Sequence, residues 1–402
     1  MSTFGLDGVQ SWPQAHHVAS TCARPLPEVP ARLDEAAGSI LARPLDLLQD
    51  DPPADAAAVT GYAVCGEGPW QRTPEDRLRP GTCAYVRAND PLPLHADAVL
   101  ALDATVTQDG PVAIITARDP LTGLPDERTR PELGEGIVRQ AARASAGAAL
   151  APRDRLVTPA LVALAAAAGY DEIPIIRPPV VGTLVLGSSL LAGGLPRHGR
   201  VRDALGDAVP AFVGALGARG NPAVRAPDTK DLLLTEIDDA NVDVLITTGS
   251  TAPDPDNHVR QVLRDLGARW LIDGVASTPG AQMLLARLPD GRFLVGLPGD
   301  PPSAMAGLIT LVAPLIASMR GDAPRPAASA VLVDEAPAGD YADDTVLAPV
   351  RLETAEHAVI ARPLADGGPA GLHAWANADA VAVVPPGFGA RGDVVQVIPL
   401  TT

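Results

Sequence analysis

Four short stretches hold most of the residues whose type and spacing could do chemistry: LGSS at 186–189, APDT at 226–229, TTGSTAPDPDN at 247–257 and GLPGDPPS at 296–303. Glycine lets backbone N–H groups come close to an anion, and hydroxyls add donors. Aspartates supply the hard oxygens that a divalent cation beside phosphates needs. On that chemistry Gly249–Thr251 is a candidate anion cradle, and Asp254, Asp256 and Asp300 are candidate cation ligands. The plainer alternative is a set of strand-to-helix turns. Asp256 would cap a helix carrying Arg260 and Leu263, Gly299 would end a strand, and Pro301 or Pro302 would start the next helix. Ser188 and Ser189 have no His and Asp in a recognisable spacing, which speaks against a hydrolase nucleophile. The seven histidines form no HxxxH or HxH pattern, and the three cysteines no CxxC, so a zinc site or disulfide framework is not expected.

The elements that must position these stretches are legible in the pattern around them. From Pro179 the apolar run VVGTLVLG reads as a buried strand, and DALGDAVPAFVGALGARG as a helix. AVRAPDT, VDVLITTG and ARWLIDGVA read as strands alternating with the helical KDLLLTEIDDA and DNHVRQVLRDLG. MLLARLPDGRFLVGLPG predicts a hairpin around Pro-Asp-Gly, followed by the helix PPSAMAGLITLVAPLIASM. This alternation predicts a mostly parallel sheet with helices on both faces. The four stretches then fall at the carboxyl ends of strands, where such sheets bind ligands.

Upstream, short β-type runs (TCAYVRA, DAVLAL, ATVTQ, PVAIITA) predict a small β-rich module. A helix follows, with Thr158 as N-cap, Pro159 at its first position and Gly169 as stop. Residues 1–27 are polar and without period, and read as a poorly ordered arm. From about 324 the β alternation returns in five runs, predicting a small barrel or sandwich.

A length of 402 residues allows two to four compact units of about 100–200 residues. Hydrophobic residues make up 47% but aromatics only 3%, so the cores must be built mainly from Ala, Val and Leu. A net charge of −17 argues against nucleic acid or anionic membrane as a partner. Lys230 is the only lysine, so amine chemistry is nearly excluded. No basic-then-apolar leader is visible, and apolar runs such as LVALAAAAG are short of a bilayer span; a cytoplasmic location without membrane insertion is expected.

Order and motifs together resemble the molybdopterin molybdenumtransferase family, MoeA of bacteria and the E domain of gephyrin in animals. Gly296–Ala304 (GLPGDPPSA) is similar to that family's GLPGNPVSA, residues 91–100 (PLPLHADAVL) to its PLPEGADAVV, and Thr60–Val64 (TGYAV) to its DGYAV. Residues 247–258 fall where the family has SGGVSVG and an acidic turn. The resemblance implies a multi-domain α/β plus β fold with a mostly parallel molybdopterin-binding-like sheet domain at 179–322. It also implies a β-rich module at 55–135, a C-terminal β-barrel at 323–402, and a dimerisation domain made of 28–54 with 136–178. It further implies a homodimer and a pocket where molybdate enters adenylylated molybdopterin with release of AMP, assisted by Mg²⁺.

By the same resemblance the ligand-binding positions are Gly187, Ser188, Ser189, Gly249, Ser250, Thr251, Asp256, Asn257, Gly299, Asp300, Pro301 and Ser303. The family's TGDEL is here Leu186-Gly187-Ser188-Ser189-Leu190, so two carboxylates are serines. Its GED is Ala141-Ala142-Arg143, its TGA is Ala88-Asn89-Asp90, and its KPGKP is Thr278-Pro279-Gly280-Ala281-Gln282. Asn257 stands where an aspartate is expected, while Asp228 retains an acid and is the one catalytic candidate. Loss of these acids and amines removes the groups that assist phosphoryl-type chemistry. A degenerate, gephyrin-like binding or scaffold protein is therefore expected, gripping a partner peptide near the cleft of the α/β and C-terminal β domains. The partner would be a membrane receptor or cell-division protein. The alternative is an active molybdenumtransferase, or a sensor binding pterin or nucleotide without turnover.

Overall fold

The computed structural model describes residues 9–108, 113–126, 130–197, 199–254, 257–323, 327–355, 358–365 and 367–400. The chain divides into two compact units, Met1–Pro30 with Gly38–Ala42 and Pro174–Thr402, and Ala31–Ala37 with Arg43–Ile173.

The larger unit begins with helix α1 (Trp12–Thr21), where a poorly ordered arm was expected. Trp12, Ala15 and Ala19 lie on one face and are buried in the main core, and Trp12 donates from Nε1 to Thr310 Oγ1 at 2.9 Å. Only three residues of this helix are buried, interleaved with Gln14, His16 and His17, so the helical period is too dilute to read. Gln10–Ser11 before it pair in parallel with Val275–Ala276. Residues 1–8 of the expected arm lie outside the described residues.

The α/β layer contains β1 (Val180–Leu186), α2 (Ala208–Ala215), β2 (Val224–Ala226), α3 (Lys230–Asp239), β3 (Val244–Thr248) and α4 (Val259–Asp265). It continues with β4 (Arg269–Asp273), β5 (Leu284–Arg287), β6 (Phe293–Leu297) and the helix α5 (Pro301–Arg320). β2, β1, β3 and β6 are consecutive and parallel, while β5 and β4 extend the sheet antiparallel. The β5–β6 hairpin turns at Pro289-Asp290-Gly291, as its sequence predicts.

The strands are apolar on both faces because both faces are covered. Val181, Val244, Ile246, Val295 and Leu297 belong to the core formed with α1 and α5. Leu184, Leu186, Leu245 and Leu294 face α3 and α4 through Leu233, Ile237, Val262 and Leu263. Each such buried aliphatic side chain contributes about 1.5–3 kcal/mol. The helix α5 is the one described helix long and apolar enough to cross a membrane, by length and composition. The short-run expectation overlooked it. Its Leu308, Leu311, Val312 and Leu315 are fully buried in the core. At the base of the sheet, Asp243 takes both ends of the Arg177 guanidinium (2.7 and 2.9 Å) and the Val180 N–H (2.8 Å).

Strands Ala328–Leu332, Thr345–Ala355, Ala358–Pro363, Ala380–Val384 and Val394–Pro399 close into a five-stranded ring, the C-terminal barrel. The smaller unit is a β-rich sheet around Tyr62, Val64, Trp70, Leu100 and Ile115. Its helix Pro159–Ala167 starts as predicted, with Thr158 accepting from the Leu161 N–H at 3.2 Å.

Candidate functional site

The sheet order brings the carboxyl ends of β2, β1, β3 and β6 side by side, and with them most of the sequence-derived site residues. The β3 and β6 ends meet at a close backbone approach. Gly249 has φ +90°, and a Cβ there would sit 3.0 Å from the Leu186 carbonyl oxygen. A Cβ on Gly299 would sit 3.3 Å from Gly249 Cα. A side chain on Gly249 would press on the β1 end and one on Gly299 on the β3 end, and the positive φ of Gly249 adds strain for any other residue.

Around this approach the polar groups serve local structure. Asp300 caps α5, its carboxylate accepting from the Ser303 N–H at 3.1 Å, with Pro301 and Pro302 in the first turn. Ser250 holds φ +60° and its Oγ accepts from the His258 N–H at 2.7 Å, capping α4 from the preceding loop. Thr251 is buried and its carbonyl accepts from Arg260 Nε at 2.7 Å. Arg260, also buried, pairs with Asp273 and lies over the Trp270 ring. Burial and the nearby Arg264 lower its pKa. The Gly249–Thr251 cradle is thus closed over its own helix, and at seven residues α4 is too short to add much dipole. The Asn257 N–H donates to the Asp254 carbonyl at 3.0 Å. Asp256, expected as a cap and cation ligand, lies outside the described residues.

Asp228, after β2, is a quarter exposed and lies 3.1 Å from Nδ1 of His258, after β3. The carboxylate orients the imidazole and leaves Nε2 for a proton or a ligand. Sequence reading missed His258, because its partner is thirty residues away and only the fold places them together. At the β1 end, Asp203 is buried and accepts from the Leu205 and Gly206 N–H groups (2.9 Å each) and from Arg225 Nε (2.7 Å). Ser188 and Ser189 are exposed beside Arg200, whose Nη2 donates to the Ser188 carbonyl at 3.1 Å.

These residues do not fit a divalent cation. Among the described residues no group of three His, Cys, Asp or Glu is placed to hold a metal ion. Asp203 is buried and bonded to Arg225 and two backbone N–H groups, Asp300 caps a helix and Asp228 faces a histidine. Thr278, in the segment resembling KPGKP, bonds Asp344 at 2.5 Å and supports the barrel. In the smaller unit, Arg143 reaches Asp51 (3.2 Å) and Asn89 (3.0 Å). Nearby, the Gln140 N–H and Arg139 hold the Asp55 carboxyl below its ordinary range.

Comparison with known proteins agrees with this architecture. The model of the MoeA N-terminal region (domain I and II) matches residues 11–169, that of a probable molybdopterin binding domain 182–318, and that of the MoeA C-terminal region (domain IV) 342–400. A molybdopterin molybdenumtransferase of Nostoc sp. is 27% identical over 315 residues, covering 71% of this chain and 68% of that protein. One of Bacillus subtilis is 28% identical over 247 residues, covering 60% and 55%. A crystal structure of the molybdopterin biosynthesis MoeA protein of Pyrococcus horikoshii superposes with a TM-score of 0.75 at 21% identity, covering 98% of this chain and all of that one. Three consecutive family matches, in the order of the observed domains, leave one conclusion: the chain belongs to the MoeA family of molybdenum cofactor biosynthesis proteins.

Proposed function

We propose that this MoeA-family chain keeps the ligand-binding outline of the sheet rim but does not carry out Mg²⁺-assisted insertion of molybdate. It acts instead as a cytoplasmic, dimeric binding protein. One observation carries the reading. The aspartates at 203, 228 and 300 are each engaged by an arginine, a histidine or backbone N–H groups, and serines 188 and 189 stand where the family has acids. A cation between phosphates needs several free hard oxygens on one face, and these aspartates do not provide them. The likeness to the E domain of gephyrin adds a protein partner, a peptide docked beside the barrel.

The test is rescue. A cell lacking its own family enzyme and expressing this chain should show no molybdoenzyme activity above the empty control. The second reading, an active transferase, is favoured by the name molybdopterin molybdenumtransferase on both curated relatives. Restored molybdoenzyme activity would establish it and remove the first.

A further inference from the structure

The stretch Ser188–Arg202 that follows β1 carries positive charge in an acidic molecule. Between Ser188 and Arg202 lie three arginines (197, 200 and 202) and no aspartate or glutamate, in a chain of net charge −17. Leu190–Leu191 pair in parallel with Val201–Arg202, and Arg200 bonds the Ser188 carbonyl, so two serines and two arginines are held in one small β-arch. The intervening loop contains Gly193, Gly194 and Gly199, the last two with positive φ.

Within this arch Arg202 is anomalous. Its Nη1 is shielded from solvent and has no hydrogen-bond partner, and a Cβ built at Gly193 would lie 3.2 Å from it. The other buried side-chain atoms without partners among the described residues are on Gln10, Thr183 and Thr247, which are neutral. The adjacent carboxylate, Asp203, accepts from Arg225 and two backbone N–H groups and makes no bond to it. A shielded cationic N–H without an acceptor is a cost to folding, and a protein gains nothing from it unless an acceptor arrives.

We propose that Ser188, Ser189, Arg200 and Arg202 form a binding site for a phosphate or pyrophosphate group that works without a divalent cation. The guanidinium fork matches two oxygens of a phosphate, and the two serine hydroxyls donate to the others. Three arginines beside serines that stand where the family has acids repel a cation, so the charge that Mg²⁺ would neutralise is met by the side chains themselves. The inference rests on reading this edge as the ligand-bearing side of the sheet, and it names the class of group bound there.

The experiment is calorimetric titration of the full chain with inorganic phosphate and pyrophosphate, in EDTA and again in millimolar Mg²⁺. Pyrophosphate should bind in EDTA. Arg202→Met should raise the Kd by about tenfold or more, since a charge-assisted bond is lost, while Arg391→Gln on the barrel leaves it unchanged. Arg202→Met without ligand should melt no lower than the parent, because the N–H removed had no acceptor. Absence of binding, binding only with Mg²⁺, or an Arg202→Met protein that binds like the parent would each overturn the proposal. Binding in EDTA together with cellular rescue keeps this site and removes the proposed loss of transfer. Mg²⁺-dependent binding without rescue does the reverse.

Discussion

Two parts of one rim have diverged in opposite directions. At the ends of β3 and β6 the backbone dictates the residues. Gly249 holds a positive φ tight against the Leu186 carbonyl, Gly299 packs closely on Gly249, and Asp300 and Ser250 cap the helices that follow. At the end of β1 nothing in the backbone demands the residues present; exposed serines stand where the family has acids, with Arg200 and Arg202 beside them. A fold preserves what its geometry needs and releases what only its chemistry needed. That explains how the GLPGDPPSA stretch stays recognisable while the carboxylates beside it are gone.

The contrast can be broken by mutation, and the largest effect belongs at β3. Gly249→Val puts a branched side chain at φ +90° against the Leu186 carbonyl and should cost about 3 kcal/mol in urea unfolding. A fully stable variant would show that the close approach is not a constraint. At the base of the same sheet, Asp243→Asn should cost roughly 1–2 kcal/mol at neutral pH, discounted for its partial exposure. Burial pushes the Asp243 carboxyl up, but Arg177 and the Val180 N–H outweigh it and hold the pKa below the ordinary value. Its contribution is therefore present above the unfolded value of about 4 and disappears as pH falls through the lower folded value. Parent and variant should converge in stability in acid; a gap that persists there would refute the assignment.

Asp300→Ala removes one helix cap and should cost about 1 kcal/mol, with pyrophosphate binding unchanged. A binding defect in this variant would move Asp300 from structure to ligand. The smallest stability change is expected at β1. Ser188→Asp combined with Ser189→Glu should stay within about 0.5 kcal/mol of the parent, because both positions are exposed. The same pair should abolish pyrophosphate binding by drawing Arg200 and Arg202 onto the new carboxylates.

What the sequence disclosed follows from the range of the interactions involved. Thr158-Pro159 with Gly169, the Pro289-Asp290-Gly291 turn and the strand alternation after Ala328 are local patterns, and each folds as its neighbours dictate. The α1 helix was illegible because its three buried residues gain their meaning from α5, three hundred residues away. The candidate site was half legible. Its glycines, serines and capping aspartate are motif residues, whereas His258 and Arg202 matter through partners, or the lack of one, that only the folded rim reveals.

The most direct measurement is chemical. Purified protein would be incubated with adenylylated molybdopterin, molybdate and Mg²⁺, and AMP followed by chromatography over time. No nucleotide release above the protein-free blank is predicted, because among the described residues no group of three His, Cys, Asp or Glu is placed to hold the ion. Multiple turnovers of AMP per chain, stopped by EDTA, would contradict the account.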